Sequence, residues 1–112
     1  MSLPRLNRLM VLEGPVRTPD GAGGHETTWT TLGSLFVDVK SGIGRQSTGQ
    51  IAALSRGTFR AIVRAAAQGS PSRPKPGQRL REGNRFYRID AVTEYDRGGH
   101  YLTCFVVEEE LV

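Results

Sequence analysis

The sequence has little of several residue types, and each shortage excludes a class of protein. Its 112 residues include one cysteine, Cys104, so no internal disulfide can form and nothing indicates an oxidising compartment. No stretch approaches the roughly 20 apolar residues that a membrane-spanning helix needs, and no charged segment followed by an apolar run predicts a signal peptide. We therefore expect a protein that is cytoplasmic or assembled in the cytoplasm, with no membrane association.

Residues suited to catalysis or metal binding are equally sparse. A zinc site wants about four ligands at paired spacings, and the chain offers only His25, His100 and Cys104. The stretch Gly42-Ile43-Gly44 does not continue into a phosphate-binding motif, and no Gly-x-Ser-x-Gly elbow is present. We expect no enzymatic activity, no metal and no cofactor. Each histidine follows a glycine beside a turn, which predicts an exposed position, whereas the apolar neighbours of Cys104 predict a buried thiol.

Aromatic residues are few and glycine is abundant. Aromatic side chains make up 7% of the chain and hydrophobic ones 38%, while glycine occurs 14 times. This composition favours short strands joined by many turns over a helix bundle. We predict one all-β domain over residues 1–112, a small antiparallel β-barrel of about six strands in meander order. Closure is expected because so few strands would otherwise leave their edges unprotected.

Several segments have the residue pattern of a strand, and turn residues separate them. Arg8–Glu13 is expected to end at Gly14-Pro15, because proline cannot donate to a ladder. The second segment, from His25, is expected to break at Gly33-Ser34 before Leu35. The segments are Arg8–Glu13, His25–Thr31, Leu35–Lys40, Thr58–Ala67, Gln78–Arg81, Arg85–Tyr95 and His100–Glu108.

The inner face of three strands follows from period-two alternation. Leu35, Val37 and Val39 are predicted to share one face, and Tyr87, Ile89 and Ala91 another. The segment Thr58–Ala67 fits both a helical and a strand spacing. We favour a strand, with Phe59, Ala61, Val63 and Ala65 on one face and Arg60 and Arg64 on the other.

Two loops interrupt the strand pattern. The connection of about residues 41–57 lies between the central strands and is far longer than the roughly 2–5 residues of a hairpin loop. A long polar loop on a small β scaffold is either a functional element or a disordered insertion, and we favour function. The Pro/Gly-rich stretch of about residues 68–77 is predicted to be a surface loop.

Charge is distributed unevenly along the chain. Between residues 40 and 88 the single acidic residue is Glu82, whereas Glu108, Glu109 and Glu110 stand in a row. Such asymmetry indicates two electrostatic surfaces, one of them suited to phosphates; the alternative is that the arginines are solvated strand faces. The basic residues of the interval are Lys40, Arg45, Arg56, Arg60, Arg64, Arg73, Lys75, Arg79, Arg81, Arg85 and Arg88.

The order of these features resembles the phage head–tail joining family, the small head-completion (stopper or adaptor) proteins beneath the portal of tailed phages and related gene-transfer particles. The similarity runs along nearly the whole chain. Its opening strand Leu6-Asn7-Arg8-Leu9 is followed by Asp20-Gly21, Trp29 and the strand Leu35–Val39. The long loop comes next, and the stretch Gly83–Val92 is similar to the glycine, aromatic, isoleucine, valine pattern of the family.

The resemblance implies a virion protein that forms a ring of six or twelve copies and continues the DNA channel. Its implied partners are further copies of itself, the portal or adaptor ring, the tail terminator or tail tube protein, and double-stranded DNA held by non-specific phosphate contact. Assembly would take place in the bacterial cytoplasm. In stopper members the long loop projects into the channel and retains DNA. The implied gating loop consists of Ser41, Gly42, Ile43, Gly44, Arg45, Gln46, Ser47, Thr48, Gly49, Gln50, Ile51, Ala52, Ala53 and Leu54.

Two further groups of residues are candidates for contacts. The DNA-facing candidates are Lys40, Arg45, Arg56, Arg60 and Arg64, and the candidates for partner interfaces are Arg73, Lys75, Glu108, Glu109 and Glu110. Two other hypotheses remain open: a small basic β-barrel that binds nucleic acid as a monomer, and another component of the connector ring, such as an adaptor or tail terminator.

Overall fold

Six antiparallel strands form one sheet that closes on itself. The structure, a computed structural model, describes residues 3–41 and 57–109. The strands are β1 (Arg8–Pro19), β2 (His25–Ser41), β3 (Thr58–Arg64), β4 (Arg79–Glu82), β5 (Arg85–Glu94) and β6 (Tyr101–Glu109). The predicted all-β class, strand number and closure are confirmed. Within the described ranges there is no helix long and apolar enough to cross a membrane.

The order of the strands differs from the predicted meander. Around the closed sheet it is β1-β2-β3-β6-β5-β4, with β4 returning to β1. The chain therefore crosses from β3 to β4 without pairing them, and β6 fills the gap beside β3. Turn chemistry predicts which consecutive strands form hairpins, but it contains no information on this crossing.

The core lies inside the closed sheet and follows period two along most strands. Val37 is fully buried, while Leu35 and Val39 pack against the core as predicted. Cys104 is buried, and burial raises the pKa of its thiol to about 12. The buried cluster is Met10, Leu12, Val37, Ala61, Val63, Leu80, Tyr87, Ile89, Leu102, Cys104 and Val106.

The first two strands are longer than the sequence predicts. β1 continues through Gly14-Pro15 to Pro19, and β2 runs without a break through Gly33-Ser34. Proline is tolerated at a strand edge where the missing N–H would face away from the ladder, so Pro15 does not end β1. Near Gly33 the pairing with β1 shifts register, because Leu12 opposes Gly33 while Glu13 opposes Thr31. A β-bulge therefore stands where the sequence predicts a strand break, and β2 continues beyond it.

The strand interpretation of the ambiguous segment is confirmed for residues 58–64. Ala61 and Val63 are buried in the core and Phe59 packs against it. Pairing with β2 on one side and β6 on the other makes β3 a central strand. The strand ends at Arg64, and the amide of Ala65 still donates to the carbonyl of His100, in the same register as the pairing with β6.

The prediction for the end of β5 is wrong at Ala91. A register shift between Ile89 and Ala91 leaves Ala91 exposed and brings Val92 against the core. The bulge inserts one residue, so period-two alternation predicts the correct face only as far as Ile89.

Two of the loops are stabilised in different ways, one by its backbone conformation and the other by packing against the sheet. Gly83, with φ of 60°, occupies the two-residue turn between β4 and β5, where a left-handed conformation favours glycine. In the predicted Pro/Gly-rich loop, Pro74 is buried, and Ser72 packs so close to Gly33 that a Cβ there would lie 3.1 Å from the Ser72 hydroxyl. Residues 42–56 of the long connection lie outside the described residues.

Candidate assembly surface

The two strands that flank the long connection are paired up to its ends. Ser41 at the end of β2 opposes Phe59, and Lys40 opposes Arg60. The connection therefore begins and ends at one end of the closed sheet, on adjacent strands. Of the predicted gating loop, Ser41 is described and exposed, whereas residues 42–54 lie outside the described residues. The gating role remains a prediction.

The structure brings two of the predicted DNA-facing residues together. Lys40 and Arg60 are directly opposed, with the Lys40 Nζ 3.6 Å from an Asp38 carboxylate oxygen. The Arg60 Nε is buried and has no hydrogen-bond partner among the described residues. Arg64 lies at the far end of β3, with its guanidinium 5.6 Å from the centre of the Tyr101 ring. Arg45 and Arg56 lie outside the described ranges.

Three of the predicted partner-interface residues make contacts within the chain. Arg73 donates to the backbone carbonyl of Ala66 over 2.7 Å, so its guanidinium holds the loop that follows β3. Glu108 accepts two hydrogen bonds from Arg85, and Glu109 lies 3.8 Å from an Arg88 nitrogen. Lys75 is exposed, and Glu110 lies outside the described residues.

Ion pairs line the end of the sheet from which the long connection leaves. Arg8 forms a two-point salt bridge with Glu82, one contact of which is 2.9 Å, and Arg85 binds Glu108 through contacts of 2.8 and 3.0 Å. The hydrogen bond from Arg8 lowers the pKa of Glu82, and the bond from Arg85 lowers the pKa of Glu108. Beneath them, burial raises the pKa of Tyr87. The opposite charges of these pairs cancel each other, and their hydrogen bonds hold the strand ends together.

Sequence reasoning missed this ion-pair end, although a signal for it exists. Each of its charged residues continues the inward-facing period of a strand past the last apolar position: Arg8 precedes Met10 and Glu82 follows Leu80. Glu108 follows Val106 in the same way. Charged residues at inward positions near strand ends predict a polar rim that must be internally paired.

A second charged cluster was also missed, on the outer face where β4 meets β1. Glu13 is only 6% exposed and accepts hydrogen bonds from Arg79 at 2.7 Å and Arg81 at 3.0 Å. Burial alone would raise the pKa of Glu13, but the bonds from the two arginines outweigh it and lower the pKa. The Arg79 guanidinium also lies between Trp29 and Phe86, 4.1 and 4.3 Å from their ring centres. Trp29 is therefore half-buried against an arginine and lies outside the buried core.

These contacts change the interpretation of the basic residues between residues 40 and 88. Arg79, Arg81, Arg85 and Arg88 are each within ion-pair distance of a carboxylate. Their acidic partners include Glu13 and Glu108, which are distant in the sequence and adjacent in the sheet. Much of the basic segment is thus neutralised within the fold, and the basic surface is smaller than the sequence indicates.

Comparison with known proteins gives a family and a fold. The family model described as phage head completion protein matches residues 1–110. A solved chain that is 50% identical covers 98% of this chain and 99% of its own length, with a TM-score of 0.78; it comes from a structure described as the virion of a native gene transfer agent particle.

A more distant structure supports the fold alone. Protein SF1141 from Shigella flexneri 2a is 20% identical, and its solution structure matches 96% of each chain with a TM-score of 0.67. No protein with curated annotation matches.

Proposed function

Because this chain belongs to the phage head completion protein family, we propose that it acts at the junction of head and tail in a phage or gene-transfer particle as the stopper ring. The match of the family model to residues 1–110 supports a role as a structural component of the virion. The 50% identical chain from a gene transfer agent virion supports the same role. As a stopper, the protein would form a ring below the portal or adaptor and provide the site for the tail.

The position of the long connection supports the stopper role. It leaves the sheet from adjacent, fully paired strand ends, between Ser41 and Thr58. The ion-paired residues around this end make it a rigid base, with Arg8 bound to Glu82. Binding residues are often found on loops that a rigid scaffold positions. We infer that residues 41–54 line the DNA channel and hold packaged DNA.

Contact with DNA would be electrostatic and independent of sequence. Lys40 and Arg60 are paired near the ends of the two strands that flank the connection, and Arg45 and Arg56 belong to the loop segment itself. Phosphate contacts of this kind weaken steeply as the salt concentration rises. The isolated protein should therefore bind duplex DNA weakly, and the ring should derive its hold on DNA from many copies.

The test is to produce particles in which residues 42–54 are replaced by a short Gly-Ser linker. Electron microscopy reports whether the ring is present and the tail attached, and the amount of nuclease-resistant DNA reports retention. We expect the ring to remain and DNA to leak. Normal DNA retention with a normal ring would show that the loop is not a gate. Particles that lack the protein altogether and still join tails would contradict the head completion role itself.

The alternative of a monomeric nucleic-acid-binding barrel predicts a different result. It requires an accessible basic surface, but Arg79, Arg81, Arg85 and Arg88 are engaged with carboxylates. Titration of the isolated protein with single- and double-stranded DNA at several salt concentrations separates the two functions. Tight binding by the monomer at physiological salt would favour the alternative.

A further inference from the structure

The edges of β2 and β5 each include a stretch that has no neighbour within residues 3–41 and 57–109. β2 pairs with β3 only from Val37 onward, so its edge from His25 to Phe36 is open. β5 pairs with β4 only as far as Arg88, and Ile89 bonds to the backbone before β4, so the edge over residues 90–94 is open as well. An open edge presents unpaired N–H and C=O groups that can accept another strand.

The opposite edge of the β1–β2 hairpin is blocked. Pro15 and Pro19 lie on the part of β1 that has only β2 as neighbour, beyond the pairing with β4 that ends at Glu13. Alternate residues of a strand direct their N–H groups to the same side, and prolines fit where that side faces away from the ladder. Two of the outward positions on β1 therefore have no N–H to donate. β2 contains no proline, so its free edge keeps every donor.

An apolar groove runs beside the open part of β2. It has a volume of about 340 Å³ and is lined by Leu6, Ser34, Leu35, Phe36 and Arg64. It lies where β3 turns away, since the register that pairs Val37 with Val63 would bring Phe36 opposite Arg64. Phe36 and its cross-strand neighbour Leu9 are 56% and 54% exposed. An exposed apolar groove next to unpaired backbone is suited to an added strand.

The topology relates the two open edges to each other. In the order β1-β2-β3-β6-β5-β4, β2 and β5 are three strands apart in both directions, so they lie on opposite sides of the closed sheet. They also run in opposite directions. A contact between different surfaces on opposite sides of a subunit is head-to-tail, which is the kind of contact that generates rings.

The two open stretches also overlap in height. Through β6 and β3 the ladders align Glu94 with Val37 and Ala91 with Lys40. Through β4 and β1 they align Arg88 with Thr31, so that residues 90–94 fall at about residues 25–29. Because the strands of a closed sheet are tilted, the height of a residue on the opposite side lies between the two alignments. Residues 90–94 therefore stand level with part of the open stretch of β2.

We propose that the open edge of β2, with its groove, binds the open edge of β5 from the neighbouring copy, so that an antiparallel ladder joins the subunits. This interface rests on the proposed ring, and it specifies which surfaces form it.

Cysteine cross-linking in assembled particles tests the interface. The pair Ser34→Cys and Thr93→Cys places exposed thiols on the two edges, and Ser34→Cys with Ala91→Cys samples the adjacent register. With a short bismaleimide we expect a ladder of covalent multimers on a denaturing gel. Each single substitution should give at most dimers. The matched control, Arg17→Cys with Thr93→Cys, uses the proline-blocked edge and should give no ladder.

A pair of proline substitutions gives a second measurement. Ser34→Pro removes a donor from the open edge of β2, while Arg17→Pro removes one from the edge that is already blocked. We expect Ser34→Pro to weaken association by about fivefold at each interface, as for one lost backbone hydrogen bond, and Arg17→Pro to leave it unchanged. Thermal unfolding of the two isolated variants checks that both are folded.

The outcomes separate this interface from the proposed ring. Particles that have a complete ring by electron microscopy but give no ladder with either cysteine pair would overturn the interface and leave the stopper ring intact. Particles in which the protein is present without forming a ring would overturn the proposed ring. A ladder from the control pair equal to that from the test pairs would also contradict the assignment.

Discussion

The strands β1 and β2 pass through two different environments. In both the backbone is paired, but in only one of them are the apolar side chains buried, so the two environments separate the stabilising effect of backbone pairing from that of burial. At Leu12, β1 has neighbours on both sides, Gly33 of β2 and Leu80 of β4, and its side chain is fully buried. From Gly14 onward β1 pairs with β2 alone, and Val16 is 44% exposed. The backbone pairing between the two strands continues across this boundary. We call residues 14–19 and 25–31 the arm; it has hydrogen bonds like the closed sheet and almost none of its apolar burial.

The boundary between the two environments is itself closely packed. Gly14 is buried, and a Cβ added to it would lie 2.9 Å from a methyl carbon of Leu32, the bulged residue of β2. One residue earlier, Glu13 is held by Arg79 and Arg81. A two-stranded ribbon is marginally stable by itself, so the contacts at the boundary are what orient the arm.

The largest expected effect compares the two environments directly. Leu12→Ala should lower the free energy of unfolding by about 2–5 kcal/mol, because it leaves a cavity in the core. Val16→Ala on the arm should change it by less than about 0.5 kcal/mol. Urea denaturation of both variants measures the difference. Equal effects would mean that the arm is packed against the core in solution.

The boundary cluster should give the next largest effect. Glu13→Ala leaves two partly buried guanidinium groups without their acceptor, and we expect a loss of about 1–3 kcal/mol in unfolding free energy. Glu26→Ala, on the exposed arm, is the matched control and should be nearly neutral. A neutral result for Glu13→Ala would show that water replaces the carboxylate at no cost.

A smaller effect should appear on acidification, at the end of the sheet opposite the arm. The pKa values of Glu82 and Glu108 are lowered in the folded protein from an ordinary 4.5. Their salt bridges therefore stabilise the fold above that value, and the stabilisation is lost as the pH falls through the lower folded-state pKa values. The melting temperature can be measured at a series of pH values from 6 to 3. It should fall less steeply with decreasing pH for Glu82→Gln than for the unmodified chain. Parallel curves would contradict this assignment.

The smallest effect is expected on the arm itself. The hydroxyl of Thr28 donates to the Val16 carbonyl at 3.5 Å, at the limit of hydrogen bonding and at an exposed position. Thr28→Ala should change the unfolding free energy by less than about 0.5 kcal/mol. Denaturation under the conditions used for Leu12→Ala measures it, and a loss comparable to that of Glu13→Ala would show that the arm takes part in the cooperative fold.

Prediction from the sequence succeeded where a rule acts over a few residues. Alternation identified the inward faces around Val37 and Val63, and apolar neighbours predicted the burial of Cys104. It was wrong where one extra residue changes the period. The bulge in β2 near Leu12 allows that strand to continue through Gly33-Ser34, where we predicted a break. The bulge after Ile89 turns Ala91 outward.

The charged residues also show that local patterns do not predict contacts between distant parts of the chain. The sequence separates the arginines of residues 40–88 from the acidic residues 108–110, and we inferred two surfaces from that separation. In the closed sheet Arg85 binds Glu108, and Arg79 binds Glu13, across 23 and 66 positions of the chain. A candidate binding surface predicted from charge runs therefore contained residues that the fold uses for its own ion pairs.

By itself, the sequence determined the all-β class, the approximate number of strands, most inward-facing residues and the place of the long connection, because these depend on period-two patterns and turn residues that act locally. Only the tertiary structure decided that β6 lies beside β3, that the arginines of β4 and β5 are neutralised, and that β2 and β5 keep open edges on opposite sides. These features depend on which strands meet around the closed sheet, and residues far apart in the chain become neighbours only when it closes.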